Sequence, residues 1–104
     1  MAIQAAFIFL ASGADPAEHR HVLNTPQVDL TVVGVANYAQ AETVARELAA
    51  SGTAAIELCG GFGTAGAARI AAAVADKTAV GVVRFDGHPG LGGMSGDQLF
   101  GVPA

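Results

Sequence analysis

Glu57-Leu58-Cys59-Gly60-Gly61-Phe62-Gly63-Thr64-Ala65-Gly66 decides the fold of this chain. The apolar run Ala54 to Leu58 enters it and reads as a strand, and the alanine-rich pattern Thr64 to Val74 leaves it and reads as a helix. The glycines between them allow a sharp turn and close backbone approach. A strand, a glycine turn and a helix N-terminus leave N–H groups pointing outward, which favours an anion there. Glu57 is out of place in so apolar a strand, and Cys59 stands where the strand ends.

Working outward, Ile3 to Ala11 is a nearly continuous apolar run and reads as the first strand, ended by Ser12-Gly13. Asp15-Pro16-Ala17-Glu18 reads as the start of a short helix. Asp15 is its cap, Pro16 takes the first helical position and Glu18 closes a capping box. That helix is expected to stop near Asn24, with Pro26 beyond it. Val28 to Val35, rich in β-branched residues, is the second strand. Asn37 caps a helix predicted over Tyr38 to Ser51, which Gly52 terminates. Ala41, Val44, Ala45 and Leu48 share one of its faces, and Glu42 with Arg46 forms a favourable surface pair. Ala54 to Leu58 is the third strand and Ala79 to Phe85 the fourth.

The pattern predicts an α/β fold: one compact domain with a four-stranded, mostly parallel sheet and helices on both faces. A flavodoxin-like order 2-1-3-4 is the first choice and a half-barrel arrangement the second. Right-handed crossovers then put the strand C-terminal ends on one edge, where ligand sites of open parallel sheets lie. Gly87 to Ala104 is glycine-rich and has no clear period. It reads either as a free tail or as a segment packed on a neighbouring subunit.

A chain of 104 residues holds one domain, 1–104, with one small core. A net charge of -4 with no run of lysine or arginine disfavours nucleic-acid binding. No window reaches the roughly 18 apolar residues of a membrane span. Met1 to Leu10 lacks a basic n-region, so no signal peptide is expected. The single cysteine excludes an internal disulfide framework, and a cytoplasmic protein is the simplest reading. Charged residues make up 13% of the chain, against about 25% in an average domain. So little polar material implies that copies of the chain cover part of its surface, and a homo-oligomer is expected.

The strand ends collect the polar residues. Glu57 and Cys59 share one face by the period-two rule, as do Arg84 and Asp86, and His88 follows. Asn37 lies at the end of the second strand, with Ser12 and Asp15 at the end of the first. Glu57 with Arg84 reads either as a buried ion pair, a weak stabilising device, or as part of a site. Cys59 is either a small buried hydrophobe or a nucleophile activated by the helix N-terminus. Asp86 either caps the following turn or sets the tautomer of a neighbouring group. His88 is the best general acid or base.

His19 and His21, two apart in the expected first helix, point about 200° apart and cannot chelate one metal. Glu57, Asp86 and His88 offer mixed oxygen and nitrogen ligands, but no second histidine stands at chelating spacing, and no metal is expected. Gly61-Phe62-Gly63-Thr64-Ala65-Gly66 matches G-x-G-x-x-G, with Asp86 about 20 residues past the last glycine. Only one strand remains after it, and Glu57 sits poorly beneath a pyrophosphate. A single phosphate or carboxylate therefore fits better than a dinucleotide, and no cofactor is expected.

Glu57-Leu58-Cys59-Gly60-Gly61-Phe62-Gly63 resembles a motif of a family of short bacterial proteins of unknown function. So do Val82-Val83-Arg84-Phe85-Asp86-Gly87-His88-Pro89-Gly90-Leu91, then Ser95-Gly96-Asp97 and Leu99-Phe100. The opening Ala6-Phe7-Ile8-Phe9 with Gly13-Ala14-Asp15-Pro16 is similar as well, so the resemblance spans nearly the whole chain. It implies a single-domain protein complete in itself and brings no reaction and no cofactor. From the residues, the expected function is a small enzyme doing isomerase- or lyase-type acid–base chemistry on a small polar or anionic substrate. Gly60, Gly61 and Gly63 would hold the anion and Arg84 a carboxylate, with Asn37 and Ser12 alongside. Glu57 and His88 would exchange protons, with Cys59 as a third candidate and Asp86 in support. The alternative is a non-catalytic metabolite-binding or oligomeric assembly module.

Overall fold

The computed structural model of the chain describes residues 2–85 and 87–101. Asp86, an expected site residue, lies outside them. Five strands form one sheet: β1 (Ile3–Leu10), β2 (Arg20–Asn24), β3 (Val28–Val35), β4 (Ala55–Leu58) and β5 (Ala79–Val82), in the order β2-β3-β1-β4-β5. The helices are α1 (Tyr38–Ala50), α2 (Thr64–Ala73) and a short α3 (Gly96–Phe100). β3, β1, β4 and β5 run parallel, and these are the four strands of the expected 2-1-3-4 order. The fifth strand, β2, pairs antiparallel with β3 at the edge.

The expected first helix is absent, and β2 stands in its place. Its start signal forms only one turn: the Ala17 N–H donates to Asp15 Oδ1 at 2.9 Å, and the His19 N–H donates to Asp15 O at 2.7 Å. Arg20 Nε then donates to Pro16 O at 3.1 Å, taking a carbonyl that a longer helix would use. Beyond it, Arg20-His21-Val22-Leu23-Asn24 alternates and pairs with β3. Pro26 ends no helix. It belongs to the tight turn Thr25-Pro26-Gln27-Val28, where the Thr25 N–H donates to Val28 O at 2.9 Å and the Val28 N–H to Thr25 Oγ1 at 3.0 Å. His19 and His21 therefore lie before and within a strand, not on a helix.

α1 forms as the sequence predicts. Asn37 Oδ1 accepts the Gln40 N–H at 2.8 Å, and the chain turns out of the helix at Gly52, whose φ of 99° suits glycine. Glu42 pairs with Arg46 one turn on, and also with Arg69 of α2, so it ties the two helices together.

β3 to β4 and β4 to β5 cross the sheet in the same direction. Crossovers of one hand then deliver both helices to one face. On that face Ala6, Ile8, Val33, Val35, Ile56 and Leu58 are 0% exposed, in one cluster with Tyr38, Ala41, Val44, Ala45 and Leu48 of α1 and Ile70 of α2. The expectation of helices on both faces fails because only the β1-to-β3 step runs the other way, and that step is made by β2. The second face carries no helix. The register puts Leu23, Leu30, Ala5, Ala55 and Ala79 in one row across it, and His21, Val32, Phe7, Glu57 and Gly81 in the next.

Ile56→Ala would open a cavity in the one-sided core. It is expected to cost about 2–5 kcal/mol in urea unfolding, and a loss below ~1 kcal/mol would mean that the helices do not seal this face.

Candidate functional site

The C-terminal edge of the parallel strands holds two distinct features. The first is built on the glycine turn. α2 begins after Gly63, which offers no side chain to cap it. Its free N–H groups are capped from the far end of the chain by Asp97. The Ala65 N–H donates to Asp97 Oδ2 at 3.0 Å and the Gly66 N–H to Oδ1 at 2.9 Å. The Tyr38 hydroxyl donates to Asp97 Oδ1 at 2.8 Å and accepts the Gly63 N–H at 2.9 Å. The anion at this helix N-terminus is thus the chain's own carboxylate. A Cβ on Gly63 would lie 2.3 Å from Asp97 Cγ, so glycine here admits the carboxylate.

Two devices place Asp97. α3 opens on a capping box in which Ser95 Oγ accepts the Asp97 N–H at 3.1 Å and Gln98 Oε1 accepts the Ser95 N–H at 3.1 Å. The Tyr38 ring, 2% exposed, stacks on Phe62 at 5.5 Å and meets Phe100 at 6.3 Å, which clamps α3 against α1. Residues 96–100 of the glycine-rich segment therefore pack on the chain's own α2 edge. Burial pushes the Tyr38 phenol well above its ordinary value; the Gly63 N–H opposes this and Asp97 adds to it. For Asp97, burial acts to raise the carboxyl, but the Ala65 N–H, the Tyr38 hydroxyl, the Gly66 N–H and the charge of Arg84 together hold it below the usual carboxylate value.

The residues expected to act together are distributed around this network. Cys59 is partly buried against the core, and its Sγ accepts N–H groups from Gly61 at 3.3 Å and Leu10 at 3.4 Å, joining the turn to the end of β1. Gly60 lies beneath the Phe85 ring, and Phe85 and His88 are 4.6 Å apart between ring centroids. His88 Nδ1 accepts the Gly90 N–H at 2.9 Å, which puts the proton of a neutral ring on Nε2. β5 ends at Val82, so Arg84 follows the strand, where Nη1 donates to Phe85 O at 2.5 Å. Glu57 is exposed on the helix-free face and makes no ion pair with Arg84. A cavity of about 130 Å³ lies between α2 and the chain after β5, lined by Phe62, Gly63, Thr64, Ala67 and Val82 to Arg84.

The second feature is a crevice of about 450 Å³ between the β1–β2 turn and α1. Pro16, Ala17 and Arg20 form one wall, and Ala39, Gln40, Thr43, Val44 and Glu47 the other. It lies beside β2, where Arg20 pairs with Val33 of β3, and away from the switch point of the topology, which falls between β1 and β4. Asn37 caps the helix that forms one wall, and Ser12 is exposed in the turn after β1. Among the described residues, no group of three His, Cys, Asp or Glu could hold a metal ion.

Tyr38, Asp97, Arg20, Gln40 and Thr43 were not candidates in the sequence reading. One signal existed for Asp97: a helix whose cap residue is glycine needs an outside acceptor, and Ser95-x-x-Gln98 announces a turn that can carry one.

A model of DUF6506, a family of unknown function, matches residues 3–98, and the chain belongs to this family. No curated protein and no solved structure matches the chain. Among the described residues, no helix is long and apolar enough to cross a membrane.

Tyr38→Phe keeps the ring contacts but leaves the buried Gly63 N–H without its acceptor, and should cost about 1–3 kcal/mol in urea unfolding. Asp97→Asn should cost a similar amount at pH 7. The folded Asp97 carboxyl lies below its ordinary 3.8, so its contribution is present above that value and is lost as pH falls through the folded one. The stability gap between wild type and Asp97→Asn should therefore narrow in urea titrations from pH 7 to pH 3. A gap independent of pH would mean that the charge of Asp97 does not stabilise the fold.

Proposed function

We propose that the protein binds a small molecule with an apolar body and an anionic head in the crevice between the β1–β2 turn and α1. The observation that carries this reading is the 450 Å³ crevice between Arg20 with the β1–β2 turn on one side and α1 on the other. Its size falls in the range of small-ligand pockets, and its lining combines apolar Pro16, Ala17, Ala39 and Val44 with polar Arg20, Gln40, Thr43 and Glu47. Arg20 offers a planar fork suited to a carboxylate or phosphate. Thr43 and the amide nitrogen of Gln40, whose Oε1 already accepts the Ala36 N–H, are available to fix orientation, and the anionic head would sit at the Arg20 end, away from the Glu47 carboxylate. This is the metabolite-binding alternative of the sequence reading, moved along the sheet edge from the glycine turn to the crevice beside α1.

A second reading, an isomerase- or lyase-type acid–base catalyst at the glycine turn, draws support from His88, whose Nδ1 is already engaged and whose Nε2 can meet a substrate. It has weaker support. A cavity lined by described residues beside the turn is only about 130 Å³, below the usual range for ligands, and Glu57 lies on the open face of the sheet.

Amide chemical-shift mapping with benzoate, phenyl phosphate and citrate as probes separates the two. Crevice binding predicts shifts at Ala17, Arg20, Ala39 and Thr43. Arg20→Gln should then weaken binding about tenfold, and Thr43→Trp should abolish it. Shifts confined to Gly60, His88 and Gly90 would favour the catalytic reading instead, and no shift at millimolar probe would overturn crevice binding.

A further inference from the structure

We infer that a second copy of the chain covers the helix-free face of the sheet, packed face to face about a two-fold axis that runs along the strands between β3 and β1. The face is apolar and uncovered. Ile3 is 57% and Leu23 51% exposed, and Ala5, Phe7, Phe9, Leu30 and Val32 are only half-buried, while the opposite face is sealed. Among the residues of its two central rows, His21 and Glu57 alone can carry charge.

The order of residues in those rows selects the partner. One row reads His21, Val32, Phe7, Glu57, with Val32 and Phe7 flanking its middle. A two-fold axis along the strands through that middle carries β2 over the partner's β4 and β3 over the partner's β1. His21 of each copy then faces Glu57 of the other, and Val32 faces Phe7. The neighbouring row reads Leu23, Leu30, Ala5, Ala55, and the same operation sets each leucine against an alanine. Large faces small and a basic group faces an acidic one, which is what interdigitating, self-complementary sheets need. Imidazole can donate an N–H to the carboxylate in either of its protonation states. A two-fold axis across the strands would instead set Glu57 on Glu57 and His21 on His21, so charge selects the first operator. That operator keeps the strands of the two sheets aligned, the commoner packing of facing sheets.

The operator overlays four strands of each copy and leaves β5 outside. Two central strands of eight residues and two outer ones of four or five, about 4.8 Å apart with about 3.3 Å per residue, give a flat footprint on the order of 400 Å² per copy. Two copies bury on the order of 800 Å² before side-chain relief is counted, below the ~1,200 Å² of standard interfaces, so the dimer is expected to be a weak, reversible one.

The test is sedimentation equilibrium of the intact chain at about 100 μM, with far-UV circular dichroism to check folding. Wild type should sediment as a dimer, and Phe7→Lys as a folded monomer. His21→Glu and Glu57→Lys should each weaken dimerisation at least about tenfold. Both sites are exposed, so neither substitution threatens the fold. An equimolar mixture of the two single variants should regain a dimer of near wild-type affinity, because in the mixed pair both facing contacts become attractive. A monomeric wild type would overturn the inference and leave the face to another partner. A dimer indifferent to Phe7→Lys, or single variants that the mixture does not rescue, would overturn it as well.

Discussion

The direction in which the chain crosses its sheet governs the rest of the structure. Two crossovers, β3 to β4 and β4 to β5, run the same way, and a common hand brings α1 and α2 to one side. The whole core therefore forms on that side, between six strand residues at 0% exposure and the inner stripes of two helices. In a doubly wound sheet, the step from the central strand to its neighbour on the other side would bring a helix beneath the sheet. Here that step is a turn and a strand. One departure from the common topology thus decides which face is a core and which is a surface.

The polar network at the glycine turn follows from a second constraint. α2 must start where β4 ends, in a turn with no room for a capping side chain, and its N–H groups face the strand edge. Leaving them unpaired in a half-buried place costs more than supplying a carboxylate. The chain supplies Asp97, fixed by a capping box and by the Tyr38 hydroxyl. A dissolved anion arriving at this helix would have to displace one tethered through the same chain and held in place by α3. The motif that most invites a ligand is in this way already occupied by the protein. The emptier place on the same edge is the crevice beside α1.

The sequence carried the α/β class, the four parallel strands, their order and the whole of α1, because each rests on a local signal: an apolar run, Asn37 as cap, Gly52 as terminator. β2 was illegible for a physical reason. Asp15-Pro16-Ala17-Glu18 is a true helix start, and its first turn does form. Whether the turn propagates is decided by pairing with β3, which a local pattern does not contain. Asp97 was hidden because its partners are 31 and 32 residues away along the chain. Glu57 was recognised as anomalous for a strand buried on both sides. The anomaly was real, and its cause is the helix-free face, on which Glu57 is exposed in the single chain.

The crevice and the bare face share one origin, residues 11–27. Their first half, folded as a single turn, brings Pro16, Ala17 and Arg20 against α1 and forms one wall of the crevice. Their second half, folded as β2, adds His21 and Leu23 to the edge of the open face. A full helix in this segment would have lain across the second face and drawn the turn away from α1, removing both features together. The Thr25-Pro26 turn and the alternation of Arg20 to Asn24 favour the strand, and the Arg20 side chain supports it by closing the preceding turn on Pro16. Arg20 therefore has two places on one side chain: it ends the helical turn through Nε, and it lines the crevice beside α1.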